Sequence, residues 1–163
     1  EIAMTDSEIS DFLHHSRVAT LASLGPTGMP HLVAMWYAVL DGEIWFETKA
    51  KSQKVANLRR DNRVTALVEA GDTYDQLRGV ALEGHAEITD DHDTVFAVCR
   101  DVWNRYTAPY TEEARPAVEQ MMAKRVAVRV VPGRVRSWDH RKLGLRPMEI
   151  GGTTAAYLSS PAR

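Results

Sequence analysis

The sequence has little of three features that would narrow its chemistry: cysteine, charge of one sign and long hydrophobic runs. Its single cysteine, Cys99, excludes an intramolecular disulfide and a cysteine-based metal cluster. The formal net charge of −2 argues against a general nucleic-acid-binding protein. No apolar run approaches the roughly 20 residues of a membrane-spanning helix, and no signal-peptide pattern opens the chain. We therefore expect a cytoplasmic protein with neither a nucleic-acid nor a membrane partner.

What the sequence does contain is the composition of an ordinary globular domain. Of its 163 residues, 44% are hydrophobic and 26% are charged. Cys99 lies within an apolar helical pattern, which favours a small core residue over a catalytic thiol. The spacing of His85 and His92 matches no standard zinc motif, so no metal site is expected.

Turn signals and alternating apolar residues predict a mainly β protein with inserted helices. A capping box, Thr5 followed by Glu8, opens a predicted helix over 5–16. Strands are predicted over 17–24, 30–40, 43–48, 63–70, 77–89 and 125–139, and further helices over 91–106 and 111–125. Short hairpins between neighbouring strands favour a small closed or split antiparallel β-barrel. The chain then forms one domain over 1–163, with the barrel over about 17–139 and a C-terminal tail over 140–163.

The segment TKAKSQKVANLRRD, residues 48–61, predicts a helix whose start carries an unusual charge. Thr48 and Ser52 are of the capping type. Three lysines nevertheless crowd the end where the helix dipole is positive and acidic residues are normally favoured: Lys49, Lys51 and Lys54. Two explanations stay open. An anion such as a phosphate binds at the helix start, or the lysines are simply solvated.

A second concentration of positive charge lies in residues 124–146. This stretch holds eight basic residues and one acid, Asp139. The period of a strand places Arg125 and Arg129 on one face, and likewise Arg134 and Arg136. Such faces favour an anionic ligand or an intermolecular contact, while a solvated strand face is equally consistent with the charge.

The order and spacing of several segments resemble the pyridoxamine-phosphate-oxidase-like split-barrel proteins. These segments are RVATLA (17–22), a Gly/Pro turn, MWYAVLDGEIWFET (35–48) and KAKSQKVANLRRDNRVTALV (49–68). The resemblance implies an FMN-binding-type split β-barrel. It also implies that Thr48, Ser52 and Lys54 hold the phosphate of FMN or of a deazaflavin.

Two further segments are similar to the actinobacterial branch that uses coenzyme F420: TYDQLRGVALEGHAEI (73–88) and VRSWDHRKLG (135–144). This similarity implies an F420-dependent oxidoreductase that transfers hydride from the reduced deazaflavin to a small conjugated or heteroaromatic acceptor. It implies a homodimer with the cofactor at the subunit interface. The implied cofactor-binding residues are Thr20, Met35, Trp36, Glu47, Thr48, Lys51, Ser52, Gln53, Lys54, Asn57, Arg141 and Lys142, the last two reaching the acidic tail of F420.

Several alternatives remain at this level. An FMN-dependent oxidoreductase would use the same phosphate site, and a non-catalytic carrier of flavin, haem or lipid, or a dimeric scaffold, would use the same fold. For Trp36 and Trp45, a place in the core or at an interface is favoured over a contact with the cofactor ring. His31 and Tyr74 are candidate proton donors or ordinary surface residues, and no catalytic residue is assigned.

Overall fold

The computed structural model describes residues 1–158 and, within them, seven strands and five α-helices. The strands are β1 (Ala19–Leu24), β2 (Pro30–Met35), β3 (Ala38–Leu40), β4 (Glu43–Lys49), β5 (Arg63–Ala70), β6 (Arg78–Thr89) and β7 (Arg125–Asp139). The helices are α1 (Asp6–His15), α2 (Gln53–Arg60), α3 (His92–Tyr106), α4 (Arg115–Met122) and α5 (Ala155–Leu158). The capping box of Thr5 and Glu8 is present at the start of α1, as predicted.

All seven strands belong to one antiparallel sheet with the order β2-β1-β5-β6-β7-β4-β3. The two edge strands, β2 and β3, are consecutive in the chain and only Trp36 and Tyr37 connect them. The sheet therefore has to curl until its edges meet, and the unpaired seam between them splits the barrel. This topology confirms the prediction of a mainly β split barrel with inserted helices.

Two of the predicted elements are interrupted or begin later than predicted. The strand predicted over 30–40 is interrupted at Trp36–Tyr37 because Tyr37 turns into the core, where its hydroxyl donates to the Leu13 carbonyl at 2.6 Å. The helix predicted over 111–125 is α-helical only in α4, after a short 3₁₀ turn at Glu112–Ala114.

The apolar core fills the inside of the curled sheet, and α3 and α4 cover part of its outside. Leu21, Phe46, Val68 and Val128 are almost fully buried in the inner core. Cys99 belongs to the outer cluster with α3 and α4, and burial raises the pKa of its thiol to about 12. The prediction that this cysteine is a core residue is confirmed.

Strand β7 contains an irregularity at Gly133, where the pairing with β6 shifts register between Glu83 and Gly84. A Cβ on Gly84 would lie 2.0 Å from the Val131 carbonyl oxygen, so only glycine allows this close approach. The tail predicted over 140–163 starts as a 3₁₀ turn at His140–Leu143, and its last five residues lie outside the described part of the chain.

Within residues 1–158, none of the helices combines the length and the apolarity needed to cross a membrane. The same part of the chain holds no group of three or more His, Cys, Asp or Glu side chains placed to bind a metal ion.

Candidate functional site

A cleft beside the start of α2 brings together β2, the β2–β3 connection, β4 and α2. Its volume is about 490 Å³. The alternation of β2 directs Val33 and Met35 to the same side of the strand, and Trp36 follows at the seam of the barrel. Six of the sequence-predicted cofactor residues line this cleft: Met35, Trp36, Glu47, Thr48, Ser52 and Lys54.

The polar end of the cleft is a cradle formed by Thr48, Ser52 and Lys54. The Lys54 Nζ donates to Thr48 Oγ1 at 3.1 Å, and Ser52 Oγ lies 3.4 Å from the same oxygen. Ser52 occupies the N-cap position of α2, but its side chain accepts no helix N–H, and the first turn contains no acid. The first-turn N–H groups lack intrahelical acceptors, so they and the three side chains form a place suited to an oxyanion.

The prediction that Thr48 caps the helix was wrong, because Thr48 is still part of β4 and is paired with Val126 of β7. Only α2, which is shorter than the predicted 48–61 segment, is helical. Thr48 is nevertheless brought to the helix start because the chain turns from strand to helix within a few residues.

The charges around the cradle leave a surplus of cations. Glu47 forms an ion pair with Arg125, in which Arg125 Nη1 lies 2.5 Å from Glu47 Oε2. Burial raises the pKa of the Glu47 carboxyl more than the arginine lowers it. Burial also lowers the pKa of Lys54, whose ammonium forms no ion pair within residues 1–158. An anion in the cleft would therefore relieve an unfavourable environment of the Lys54 ammonium.

The apolar end of the cleft is an aromatic wall. Trp36 is 53% exposed and stacks on Tyr106 of α3, with ring centroids 4.5 Å apart and planes 4° apart. The Tyr106 hydroxyl lies 2.8 Å from the Arg17 carbonyl and accepts the Tyr37 N–H at 3.1 Å. One face of the Trp36 ring is therefore covered by Tyr106, and Trp36 is not a core residue. Trp45, in contrast, packs against the buried cluster under α3.

Sequence reasoning missed Tyr106 and Arg125 as residues of this site. Tyr106 lies 69 positions from Tyr37, to which it is hydrogen-bonded, and Arg125 lies 78 positions from Glu47. Neither carries a local motif, and only the sheet order and the packing of α3 place them here. Arg125 was noted in the sequence only as part of a basic strand face.

The remaining predicted residues lie elsewhere, and their cofactor roles stay predictions. Asn57 is fully buried, where it donates to Ser23 Oγ at 3.1 Å and accepts from Gln53 at 2.8 Å, so this pair ties α2 to β1. Lys51 is exposed outside the cleft. Three others lie near α1: Thr20 and Arg141 line a separate cavity, and Lys142 donates to Glu8 at 2.7 Å.

Of the two candidate proton donors, Tyr74 is 56% exposed and packs edge-on against His140. His31 lies in β2 opposite Ser23, and its buried Nδ1 has no hydrogen-bond partner within the described residues. Neither side chain lines the cleft.

Three arginines of the basic strand β7 pair with acids of the same chain: Arg125, Arg129 and Arg136. Arg129 lies 3.3 Å from Glu43 and 3.5 Å from Glu87, measured between side-chain nitrogen and oxygen. Arg136 pairs with Glu83, and Arg141 lies 2.6 Å from Asp139. The region therefore has fewer unpaired cations than its excess of basic residues in the sequence suggests.

Comparison with known proteins identifies the family and supports the fold. Residues 5–139 match the family described as pyridoxamine 5′-phosphate oxidase. A conserved hypothetical protein from Mycobacterium tuberculosis is 62% identical, with a TM-score of 0.93 over 94% of this chain and 96% of the other. An F420 reductase is 30% identical, with a TM-score of 0.60 over 77% of this chain and 94% of the other.

The haem storage protein HutZ from Vibrio cholerae, 13% identical, shares the fold with a TM-score of 0.63 over 82% of this chain and 95% of the other. No curated protein matches the chain in sequence.

Proposed function

The chain belongs to the pyridoxamine 5′-phosphate oxidase family, and from that premise we propose that it is an F420-dependent oxidoreductase. It transfers hydride from the reduced deazaflavin to a small conjugated or heteroaromatic acceptor. The observation that carries this proposal is the cradle of Thr48, Ser52 and Lys54 at the acid-free start of α2, at one end of a cleft whose other end is the Trp36 wall.

Each group around the cleft has a role that follows from its contacts. Lys54, Thr48 and Ser52 bind the phosphate, because they combine two hydroxyls with a cation that forms no ion pair in the described part of the chain. Arg125 engages Glu47, which keeps that carboxylate from competing for Lys54. When bound, the reduced deazaflavin supplies the hydride, so the chain needs to supply binding, orientation and access rather than a nucleophile.

The proposal includes a homodimer with the cofactor at the subunit interface. Large apolar side chains on and beside β2 are exposed in the single chain, among them Leu32 at 61% and Met29 at 72%. Together with the outer face of Trp36, they form the kind of surface that a second subunit covers.

An FMN-dependent oxidoreductase is the second candidate, and one observation favours it. Three of the four arginines of β7 pair with carboxylates of their own chain, which weakens the argument that this region attracts the more anionic F420. The relative described as an F420 reductase supports the first candidate. The cradle itself serves either phosphate.

Equilibrium binding of F420 and of FMN to the purified protein, followed by fluorescence at low and high salt, tests the proposal. We expect micromolar or tighter binding of F420 that weakens with salt, and oxidation of reduced F420 when acceptors are added. Binding of FMN alone would establish the second candidate. F420 binding without turnover on any acceptor would indicate a carrier, and binding of neither cofactor would overturn both candidates.

A further inference from the structure

A second cavity, of about 680 Å³, lies between α1 and the sheet and shares no lining residue with the cleft. Arg78 of β6 lines it, together with Phe12 of α1 and Leu67 of β5. The Arg78 Nε is buried and has no hydrogen-bond partner, and the guanidinium forms no ion pair within residues 1–158. The guanidinium carbon lies 5.2 Å from the centroid of the Phe12 ring.

The Nε–H of Arg78 is therefore in an energetically unfavourable position. A buried N–H donor without an acceptor destabilises the folded state, and more so when the group is charged. The contact with the Phe12 ring gives this N–H no acceptor. A ligand that accepts hydrogen bonds from Arg78 would remove this cost.

Two carboxylates that line the cavity are already engaged with other cations. Asp139 accepts from Arg141 Nη2 at 2.6 Å and from Arg141 Nε at 2.9 Å, so Arg78 interacts with it only at a distance. Glu8 accepts from Lys142 at 2.7 Å. Arg78 therefore shares the cavity with acids but forms an ion pair with none of them within residues 1–158.

Other charged groups of the cavity also form no ion pair within residues 1–158. Arg17 stacks on Tyr106 at 5.1 Å and forms no ion pair within the described chain. The Thr20 hydroxyl lines the same space, as do the carboxylates of Asp11 and Glu69, which pair with neither arginine. These two acids disfavour a dianion such as phosphate, whereas a monoanion with an apolar body matches both the cations and the Phe12–Leu67 wall.

We propose that this cavity binds the carboxylate of a small organic acid, with Arg78 as its ion-pair partner and Phe12 and Leu67 against its apolar part. The planar fork of an arginine matches a carboxylate with two parallel hydrogen bonds. The site shares no lining residue with the cleft that contains the cradle at Lys54.

Benzoate is the probe, and benzamide is its neutral isostere. Titration of the full chain with each, followed by the ¹⁵N–¹H signal of the Arg78 Nε–H group, reads out the site without any substitution. We expect a saturable shift with benzoate and none with benzamide. By calorimetry, Arg78→Gln should weaken benzoate binding at least tenfold, whereas Arg134→Gln, an exposed arginine of β7 outside the cavity, should leave it unchanged.

Three outcomes would overturn the proposal. The first is the absence of a saturable shift with both benzoate and acetate, and the second is equal binding of benzoate and benzamide. The third is a wild-type oligomer that Arg78→Gln dissociates in sedimentation, because Arg78 would then pair with a carboxylate of a second copy. If Arg78→Gln does not fold, Arg78→Lys keeps the charge, removes the fork and is expected to lose most of the affinity.

Discussion

The two basic regions of this chain, the start of α2 and strand β7, look alike in sequence but differ in their surroundings. Lys54 has a neutral hydroxyl as its partner, whereas Arg125, Arg129 and Arg136 each contact a glutamate. The difference arises from sheet order, since β7 lies between β4 and β6, and both neighbours carry glutamates. Positive charge remains available to a ligand only where the fold supplies no carboxylate.

Breaking the ion pair between Glu47 and Arg125, which joins the two regions, has the largest expected effect on stability. Arg125→Gln leaves Glu47 in a largely buried position without its cation, which should lower the free energy of unfolding by about 3 kcal/mol. Denaturant unfolding measures this loss. Arg115→Gln, which breaks an exposed pair with Glu119 in α4, is the matched control and should have a much smaller effect. Equal losses would show that burial does not distinguish the two pairs.

The same substitution carries a pH dependence of known sign. Burial already raises the pKa of Glu47 above its usual 4.5, and removing Arg125 raises it further. A carboxyl whose pKa is higher in the folded state is most favourable to folding below its unfolded pKa, and that stability is lost as the pH rises through the folded pKa. The deficit of Arg125→Gln should therefore be larger at pH 8 than near pH 4.5. A deficit that does not vary with pH would contradict the assignment to Glu47.

Lys54 tests the other side of the comparison, the cation without a carboxylate. Lys54→Gln should weaken the binding of a phosphate-bearing flavin or deazaflavin by about 2 kcal/mol, or roughly 30-fold, because one charge-assisted hydrogen bond is removed. Lys51→Gln changes the same net charge at an exposed position outside the cleft, so its affinity should change little. Equal losses in both variants would indicate a general charge effect rather than a bound phosphate.

Local patterns explain which parts of the fold were predictable. Strands 63–70 and 125–139 were predicted with their observed bounds because valines alternate or cluster along them and clear turns delimit them. The interruption at Trp36–Tyr37 was not predictable, since it depends on Leu13 and Tyr106, two residues that lie far away in sequence.

The candidate site divides in the same way. Thr48, Ser52 and Lys54 could be found together because one strand-to-helix turn contains them all. Tyr106 and Arg125 could not, because tertiary packing alone brings them to the cleft. The alternatives for the charge of β7 could not be resolved for a related reason, since a count along the chain does not reveal which acids face which arginines.

Asp139 is a buried acid in the basic region, and its substitution should have an effect of intermediate size on stability. Hydrogen bonds from Arg141 hold its pKa below the usual 3.8, and Asp139→Asn should lower the free energy of unfolding by about 1–2 kcal/mol at neutral pH. The stability from a lowered pKa is present above the unfolded pKa and lost as the pH falls through the folded one. The gap between wild type and variant in denaturant unfolding should thus narrow below pH 3.8. Asp72→Asn, at an exposed position, should show no such gap.

Arg136 has the smallest expected effect and decides whether the arginine face of β7 serves the cofactor. Its pair with Glu83 is largely exposed, so Arg136→Gln should change the free energy of unfolding by no more than about 0.5 kcal/mol. Because that charge is already balanced within the chain, the affinities for F420 and FMN should both stay within about twofold of wild type. A selective loss of F420 affinity, measured by the same fluorescence titration, would contradict this. It would mean that the ion pair opens for an acidic tail and that paired and unpaired cations both serve the ligand.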